Sequence, residues 1–139
     1  MCRIGIAAYG YIENQSPLFV PDLKPVLSLY TNKISSRTLK KGQCVGYGGN
    51  FTASQDMQIS TYDIGYGDGF KRMNINQNYR INKEEKILGN ISMDNMSINS
   101  TRDEICLFND VQALATLHNT ISYEILTSLN SNIKRIIIY

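Results

Sequence analysis

The sequence predicts a mainly β fold, a small barrel or sandwich, with two short helices near the C-terminus. Several short segments rich in β-branched and aromatic residues are separated by glycine-containing turns at close intervals, which is typical of all-β domains. Helical spacing of apolar residues begins only after Asp110. With 139 residues, the chain is long enough for one compact domain with its own core.

The first half of the chain predicts three strands. Residues 26–35 are β-rich, and a turn ending at Gly42 separates them from a second short run at 44–47. We expect two strands joined by this turn. Residues 57–64 alternate polar and apolar side chains up to a glycine-rich loop at 65–69, which indicates a half-buried strand.

Four more strands are predicted in the second half. Residues 86–93 have strand character, 96–99 alternate again, and 104–108 form a short apolar run. The isoleucine-rich residues 135–139 predict a closing strand.

Two helices are predicted before that closing strand. Apolar residues from Val111 to Leu117 form one stripe, Asp110 can cap its N-terminus, and Asn119 can take the left-handed position after its end. Ser122 is the expected N-cap of a second helix that follows at once.

Charge and cysteine content argue against several classes of protein. The net charge of +2 is spread along the chain, whereas a nucleic-acid-binding face needs clustered basic residues. Cys2, Cys44 and Cys106 are odd in number and far apart, so we expect reduced thiols, with Cys44 and Cys106 as small core residues. The sequence has neither an apolar run long enough to span a membrane nor a signal-peptide pattern, so a cytoplasmic protein is expected.

Few residues suggest chemistry by themselves. Metal-ligand spacing, a nucleophile elbow and a phosphate-binding loop are missing from the sequence, and the single histidine, His118, is expected to be a capping or surface residue. Tyr47 and Tyr66 are each flanked by glycines, an arrangement that can aim a phenol into a cleft. The glycines could equally make turns against which the tyrosines pack, and local sequence alone favours that interpretation.

Six segments taken in order, however, resemble alanine racemase over nearly the whole chain. Each motif is weak alone, but their order and spacing are specific. They are RIGIAAYG at 3–10, LKPVLSL at 23–29, LKKGQCVGYG at 39–48, IGYGDGF at 64–70, GNISMDN at 89–95 and TISYEIL at 120–126.

The resemblance implies a domain organisation and a cofactor. In that family an N-terminal (β/α)8 barrel holds pyridoxal phosphate on a lysine, and a small Greek-key-type β-barrel follows it. Residues 1–22 resemble the tail of the first barrel, and residues 23–139 resemble the β domain. A (β/α)8 barrel needs about 250 residues. The chain is therefore expected to be inactive alone, and to act on alanine only with the barrel domain, in a head-to-tail homodimer.

The resemblance assigns one catalytic residue. Racemisation removes the α-proton from one face of the substrate and returns a proton to the other, so two bases are needed. In the family one is the cofactor lysine and the other is a tyrosine from the partner subunit, and the GYG match assigns that tyrosine to Tyr47. A phenol needs help from cations or hydrogen bonds to act as a base at neutral pH. In the family, barrel residues supply this help.

The resemblance also implies how the substrate is held. Tyr66 resembles the tyrosine near the substrate carboxylate, and Arg72 resembles a gate arginine of the entry channel. Met93 resembles the residue whose backbone N–H binds the carboxylate, and Asp94 lines the entrance beside it.

Four residues resemble the family's cofactor-binding groups. Arg3 resembles the arginine that donates to the pyridine nitrogen, and Gly5 and Ile6 would bind the phosphate through backbone N–H groups. Tyr123 resembles the tyrosine that contacts the phosphate.

Two alternatives stay open at this point. The chain could be a stand-alone β-barrel without catalysis that serves as a dimerisation or binding module. It could also belong to a racemase for another amino acid, such as serine or lysine, because specificity depends partly on barrel residues.

Overall fold

The computed structural model describes residues 4–12, 22–73, 79–81 and 85–138. Within these ranges the fold is mainly β, with two short helices near the C-terminus, as the sequence predicts. The strands and α-helices are β1 (Leu29–Leu39), β2 (Cys44–Val45), β3 (Phe51–Thr52), β4 (Met57–Tyr62), β5 (Met96–Ile98), β6 (Glu104–Phe108), α1 (Gln112–Leu117) and α2 (Ser122–Ser128). Two 3-10 helices span Ile6–Tyr9 and Tyr66–Asp68.

A four-stranded antiparallel sheet in the order β5-β4-β1-β6 forms the body of the domain. The first part of β1 pairs with β6 from Leu29 to Asn32, and the second part pairs with β4 from Lys33 to Leu39. A register shift between Lys33 and Ser35 occurs where β1 passes from one partner to the other. Such irregularities bend a strand. The sheet curls into an antiparallel half-barrel.

The two strands joined by a turn that the sequence predicts at 26–35 and 44–47 are present as β1 and β2, but they do not pair with each other. β2 pairs with β3, Cys44 lying opposite Thr52, whereas β1 pairs with β4 and β6. The tight turn after β1 therefore leads into a second, two-stranded sheet. Antiparallel strands can be joined by a short turn, but the turn alone does not decide that they pair.

Two apolar clusters hold these sheets. The larger lies between the four-stranded sheet and the helices, and Tyr62, Leu107 and Val111 in it are fully buried. The smaller cluster packs the β2–β3 hairpin against β1 and β4. It consists of Leu39, Val45, Ala53, Ile59 and Leu88. Full burial of a leucine or isoleucine stabilises by about 1.5–3 kcal/mol, so this cluster favours packing of the hairpin on the sheet.

Two predicted strands are not formed. In 86–93, only Lys86 and Ile87 make single bridges, and the chain turns at Gly89, whose φ is 68°. Within the described part of the chain, residues 135–138 pair with no strand. Arg135 instead donates to the carbonyls of Ser131 and Ile133, at 3.0 and 3.1 Å. A β-rich composition does not make a strand without an available edge.

Both predicted helices are present. Asn119 has a φ of 49° after the end of α1, as predicted. The N-cap of α1 is Val111 and not Asp110, although Asp110 Oδ1 accepts the N–H of Gln112 at 2.8 Å. Ser122 is the first residue of α2 and not its N-cap, which is Ile121.

The prediction of a buried Cys44 is wrong. Its side chain is exposed, with the Sγ 3.4 Å from Thr52 Oγ1, whereas Val45 is buried. Because side chains alternate along a strand, only one residue of this pair can face the smaller cluster. Cys106, on β6, is half-buried.

Candidate active site

The turn that carries Tyr47 is made of glycines in left-handed conformations. Gly46, Gly48 and Gly49 have φ values of 86°, 79° and 66°, and the Gly49 N–H donates to the Gly46 carbonyl at 2.9 Å. Residues with side chains rarely adopt these angles. The chain thereby reverses within a few residues, and the side chain of Tyr47 stands out from the hairpin, 68% exposed.

A second loop anchors this turn through the main chain. The Tyr47 N–H donates to the Asn90 carbonyl at 3.0 Å, and the Asn90 side-chain amide donates to the Tyr47 carbonyl at 3.3 Å. A Cβ on Gly46 would lie only 2.8 Å from Asn90 N and from Gly89 Cα. The two backbones therefore touch at a point where only glycine fits.

Arg72 lies over the ring of Tyr47. Its Cζ is 5.7 Å from the ring centroid, within the range of a cation–π contact. Both side chains are exposed. The structure thus brings together two residues that the sequence assigns from separate motifs, and the cation restrains an otherwise free ring.

Tyr66 stands at the start of a 3-10 helix that rests on the loop of Met93. The Asp68 carboxylate accepts the Gly65 N–H at 2.9 Å and closes the turn. The Gly67 N–H donates to the Met93 carbonyl at 2.8 Å, and a Cβ on Gly65 would lie 2.1 Å from the same oxygen. Tyr66 and Met93 are 45% and 53% exposed, so two predicted substrate-binding residues lie in adjacent loops with open side chains.

Met93 and Asp94 form the tip of a tight turn. The Ser92 N–H donates to the Asn95 carbonyl at 2.9 Å, and the Asn95 N–H donates to the Ser92 hydroxyl at 3.1 Å. Both tip residues are exposed. The turn is closed by its own ends, which leaves the tip available to a ligand.

Tyr123, on α2, reaches the N-terminal segment. A Cβ on Gly5 would lie 2.4 Å from Tyr123 Oη, so the hydroxyl lies against the backbone of Gly5, one residue before the 3-10 helix that starts at Ile6. A phosphate is held by hydroxyl and backbone N–H donors where no side chain blocks its approach. The hydroxyl and backbone N–H groups of these three residues are donors of the kind that a phosphate group accepts from. Arg3 lies outside the described residues.

α2 contacts both the N-terminal segment, through Tyr123, and the segment that carries Arg72, through Glu124. Glu124, next to Tyr123, is paired with Lys71 and also accepts a hydrogen bond from the Thr120 hydroxyl. Lys71 itself precedes Arg72 in the chain. Sequence reasoning missed this ion pair. Each partner adjoins a predicted site residue, but a contact between distant segments leaves no local pattern.

His118 lies beside this ion pair. It is the C-cap residue of α1, as the sequence predicts. Burial lowers the pKa of its imidazole, the nearby Lys71 charge lowers it further, and Glu124 acts in the opposite direction. Within the described residues its Nε2 is buried without a hydrogen-bond partner.

Two other kinds of feature are not found in the described part of the chain. Its histidines, cysteines and carboxylates form no cluster that could hold a metal ion. None of its helices has the length and apolar character needed to cross a membrane.

The comparison with known families decides the identity. Residues 26–137 match the model of the alanine racemase C-terminal domain. The chain belongs to the alanine racemase family. Its mainly β fold with two short C-terminal helices is the fold of that domain, as the resemblance implies. The division between residues 22 and 23 stays a prediction, as do the roles of the individual residues.

Alanine racemases from several bacteria are similar over almost the whole chain. The one from Campylobacter jejuni strain 81-176 is 43% identical over 137 residues, which are 99% of this chain and 40% of that relative. The one from Nitratiruptor is 47% identical over 136 residues, covering 96% of this chain and 39% of the relative. This alanine racemase chain therefore spans about 40% of the length of the curated relatives it matches.

A solved structure agrees. Alanine racemase from Bartonella henselae, with covalently bound pyridoxal phosphate, superposes with a TM-score of 0.77 at 32% identity, covering 96% of this chain and 40% of that one. Alanine racemases are isomerases that use pyridoxal phosphate.

Proposed function

We propose that this chain is the C-terminal part of an alanine racemase that interconverts L- and D-alanine. It would complete the active site formed by an N-terminal barrel domain with pyridoxal phosphate, and in a homodimer it would serve the site of the partner subunit. The product D-alanine would supply peptidoglycan synthesis in the cytoplasm. The fragment alone would be inactive.

The observation that carries this proposal is the presentation of Tyr47. Its side chain is 68% exposed, yet its backbone is fixed by the Asn90 loop and its ring faces Arg72. An exposed aromatic residue is usually free to move, whereas a base must be held within a fraction of an ångström. An exposed phenol on an anchored backbone is suited to act on a substrate that is bound elsewhere.

The other exposed residues would handle the substrate. The backbone N–H of Met93 would bind the alanine carboxylate, with Tyr66 beside it in the adjacent loop. Arg72 and Asp94, of opposite charge and both exposed, would line the entrance and admit a zwitterion.

The cofactor would be held by its phosphate. Gly5 and Ile6 would donate backbone N–H groups and Tyr123 its hydroxyl, while Arg3 would donate to the pyridine nitrogen. When bound, pyridoxal phosphate supplies the electron sink that makes the α-proton acidic.

Proton transfer would then need one group on each face of the substrate. The Tyr47 phenolate oxygen would take the α-proton of L-alanine and become the phenol, and the phenol would give a proton back when D-alanine is the substrate. The cofactor lysine of the barrel would serve the opposite face. Arg72 would keep the phenol aimed during both steps.

The test joins this chain to the N-terminal domain of the C. jejuni relative. We expect L-/D-alanine interconversion in the joined protein, and none from the chain with pyridoxal phosphate alone. In deuterium oxide, Tyr47→Phe should abolish exchange of the α-proton of L-alanine, because the group that removes it is gone.

Tyr30→Phe is the matched control. Tyr30 is 50% exposed on β1 and has no part in the proposed site, so its loss of a hydroxyl should leave exchange unchanged. Racemisation by the chain alone, or undiminished L-alanine exchange in Tyr47→Phe, would refute the proposal. Interconversion of serine or lysine in preference to alanine would refute the substrate assignment.

A further inference from the structure

Asn130, just beyond α2, holds the turn that carries Tyr66. Its backbone N–H donates to the Asp68 carbonyl at 2.9 Å, and its side-chain amide donates to the Gly67 carbonyl at 3.2 Å. Two successive carbonyls of the 3-10 helix are thus bound by one residue. Neighbouring Ser128 adds a bond from its hydroxyl to the Gly69 carbonyl at 2.8 Å.

Asn130 is itself held on its other side. Its Oδ1 accepts the Asn132 N–H at 3.0 Å, and its carbonyl accepts the Ile133 N–H at 3.3 Å and an Arg135 guanidinium N–H at 3.4 Å. The backbone N–H, the carbonyl, the amide and the side-chain oxygen of Asn130 are therefore all engaged. A side chain with every polar group bonded has one orientation.

Gly67 lies between Asn130 and the Met93 turn and is bonded to both. The Gly67 carbonyl accepts from Asn130, and the Gly67 N–H donates to the Met93 carbonyl at 2.8 Å. A Cβ on Gly67 would lie 3.0 Å from the same oxygen, so the two backbones are in direct contact. Gly67 is thus bonded through its carbonyl to the residue that follows α2 and through its N–H to Met93.

We propose that Asn130 is a positioning residue for the side of the site that binds the substrate carboxylate. The inference rests on the proposed function of Met93 and Tyr66. Asn130 fixes the Gly67 peptide, and with it both of these residues, relative to the helix that carries Tyr123. The groups for the substrate carboxylate and for the cofactor phosphate are then held at a constant separation.

The first test uses this chain alone. Asn130→Asp keeps the shape of the side chain but places a carboxylate oxygen where the amide donated to Gly67. We expect the Gly67 N–H, which donates to Met93, to exchange with solvent deuterium about fivefold faster, because loss of the Asn130 hydrogen bond to the Gly67 carbonyl makes local opening of this turn easier by the energy of one ordinary hydrogen bond. Asn132→Asp makes the same chemical change two residues away and should leave Gly67 exchange as it is. Asn130→Ser removes the amide without adding charge and repeats the test if the aspartate variant unfolds.

The second test uses the chain joined to the N-terminal domain. Asn130→Asp or Asn130→Ser should raise KM for alanine about fivefold while kcat stays within about twofold, because carboxylate binding is impaired and Tyr47 is not. An unchanged Gly67 exchange rate, or a loss of kcat with KM unaltered, overturns the inference. Retained L-alanine proton exchange in Tyr47→Phe would refute the proposed function instead, and the exchange of Gly67 in the isolated chain would still decide whether Asn130 holds the turn.

Discussion

The Arg72 guanidinium carbon lies 5.7 Å from the centre of the Tyr47 ring. Tyr47 belongs to the β2–β3 hairpin, and Arg72 follows the 3-10 helix of Tyr66, so this contact bridges two loops that make no strand pairing with each other. The orientation of the proposed base therefore depends on the loop that also carries a substrate-binding residue.

A double-mutant cycle measures this bridge. Arg72→Gln and Tyr47→Leu in the isolated chain should show a coupling free energy of unfolding of about 0.5–1 kcal/mol, the strength of an exposed cation–π pair. Urea unfolding gives each value. Phe51 is paired with a different cation, Lys86, also at 5.7 Å. The changes in unfolding free energy caused by Arg72→Gln and Phe51→Leu should therefore be additive. If the changes caused by Arg72→Gln and Tyr47→Leu were also strictly additive, the contact between Arg72 and Tyr47 would contribute nothing to stability.

The backbone contact between Gly46 and Gly89 should make Gly46 highly intolerant of an added side chain. Gly46→Ala suffers both a left-handed φ of 86° and the 2.8 Å approach to the Asn90 backbone. Gly42 has a φ of 83° with open space around it, so Gly42→Ala suffers only the first. We expect about 1–2 kcal/mol of destabilisation at Gly42 and at least about 2 kcal/mol more at Gly46. Similar losses at both positions in urea unfolding would contradict a close main-chain contact.

Gly5→Ala should affect the cofactor much more than the fold. The added Cβ meets the end of the Tyr123 side chain, which can swing aside, so the free energy of unfolding should change by less than about 0.5 kcal/mol. In the joined enzyme, the dissociation constant of pyridoxal phosphate should rise about fivefold, because the hydroxyl no longer meets the Gly5 backbone. The change in absorbance of pyridoxal phosphate on binding measures this dissociation constant.

Tyr123→Phe supplies the control background for that substitution. Without the hydroxyl, the nearest ring atom to the new Cβ is Cζ at 3.5 Å, an ordinary contact. Gly5→Ala should then add little to the effect of Tyr123→Phe alone. A further fivefold loss of affinity for pyridoxal phosphate on adding Gly5→Ala to Tyr123→Phe would show that Gly5→Ala does not act through the Tyr123 hydroxyl.

His118 should make the chain less stable in mild acid. Burial and Lys71 lower the pKa of the folded imidazole from 6.5, so the unfolded chain binds the proton more tightly. The stability contributed by the neutral side chain is present above the unfolded pKa and is lost as pH falls from about 6.5 through the folded pKa. His118→Gln should lose less Tm between pH 7.5 and pH 5.5 than the unchanged chain. Parallel losses in the two proteins would exclude this role.

The sequence predicted those parts of the fold that local chemistry decides. β6 at Glu104–Phe108, the carboxylate of Asp110 at the start of α1 and the left-handed Asn119 after it follow from side chains near in sequence. Pairing does not follow from them. The turn at Gly42 joins β1 to β2 as predicted, yet β2 pairs with β3 and not with β1.

The predicted site residues came from ordered motifs, whereas the contacts among them came only from the structure. The glycines around Tyr47 indicated an unusual turn, but nothing in that turn reveals that it rests on Asn90 or faces Arg72. Asn130 carries no local signal at all, because its role lies in carbonyls far away in sequence.

The close contact of the Gly46 and Gly89 backbones determines which substitutions the surface around Tyr47 tolerates. The position of Tyr47 depends on the main-chain hydrogen bond to Asn90, on the side-chain amides of Asn50 and Asn90, and on the absence of a Cβ at Gly46 and Gly89. Substitutions at exposed Cys44, which makes none of these contacts, should be nearly silent. A single methyl group added at Gly46 or Gly89 would therefore be enough to displace the Tyr47 phenol.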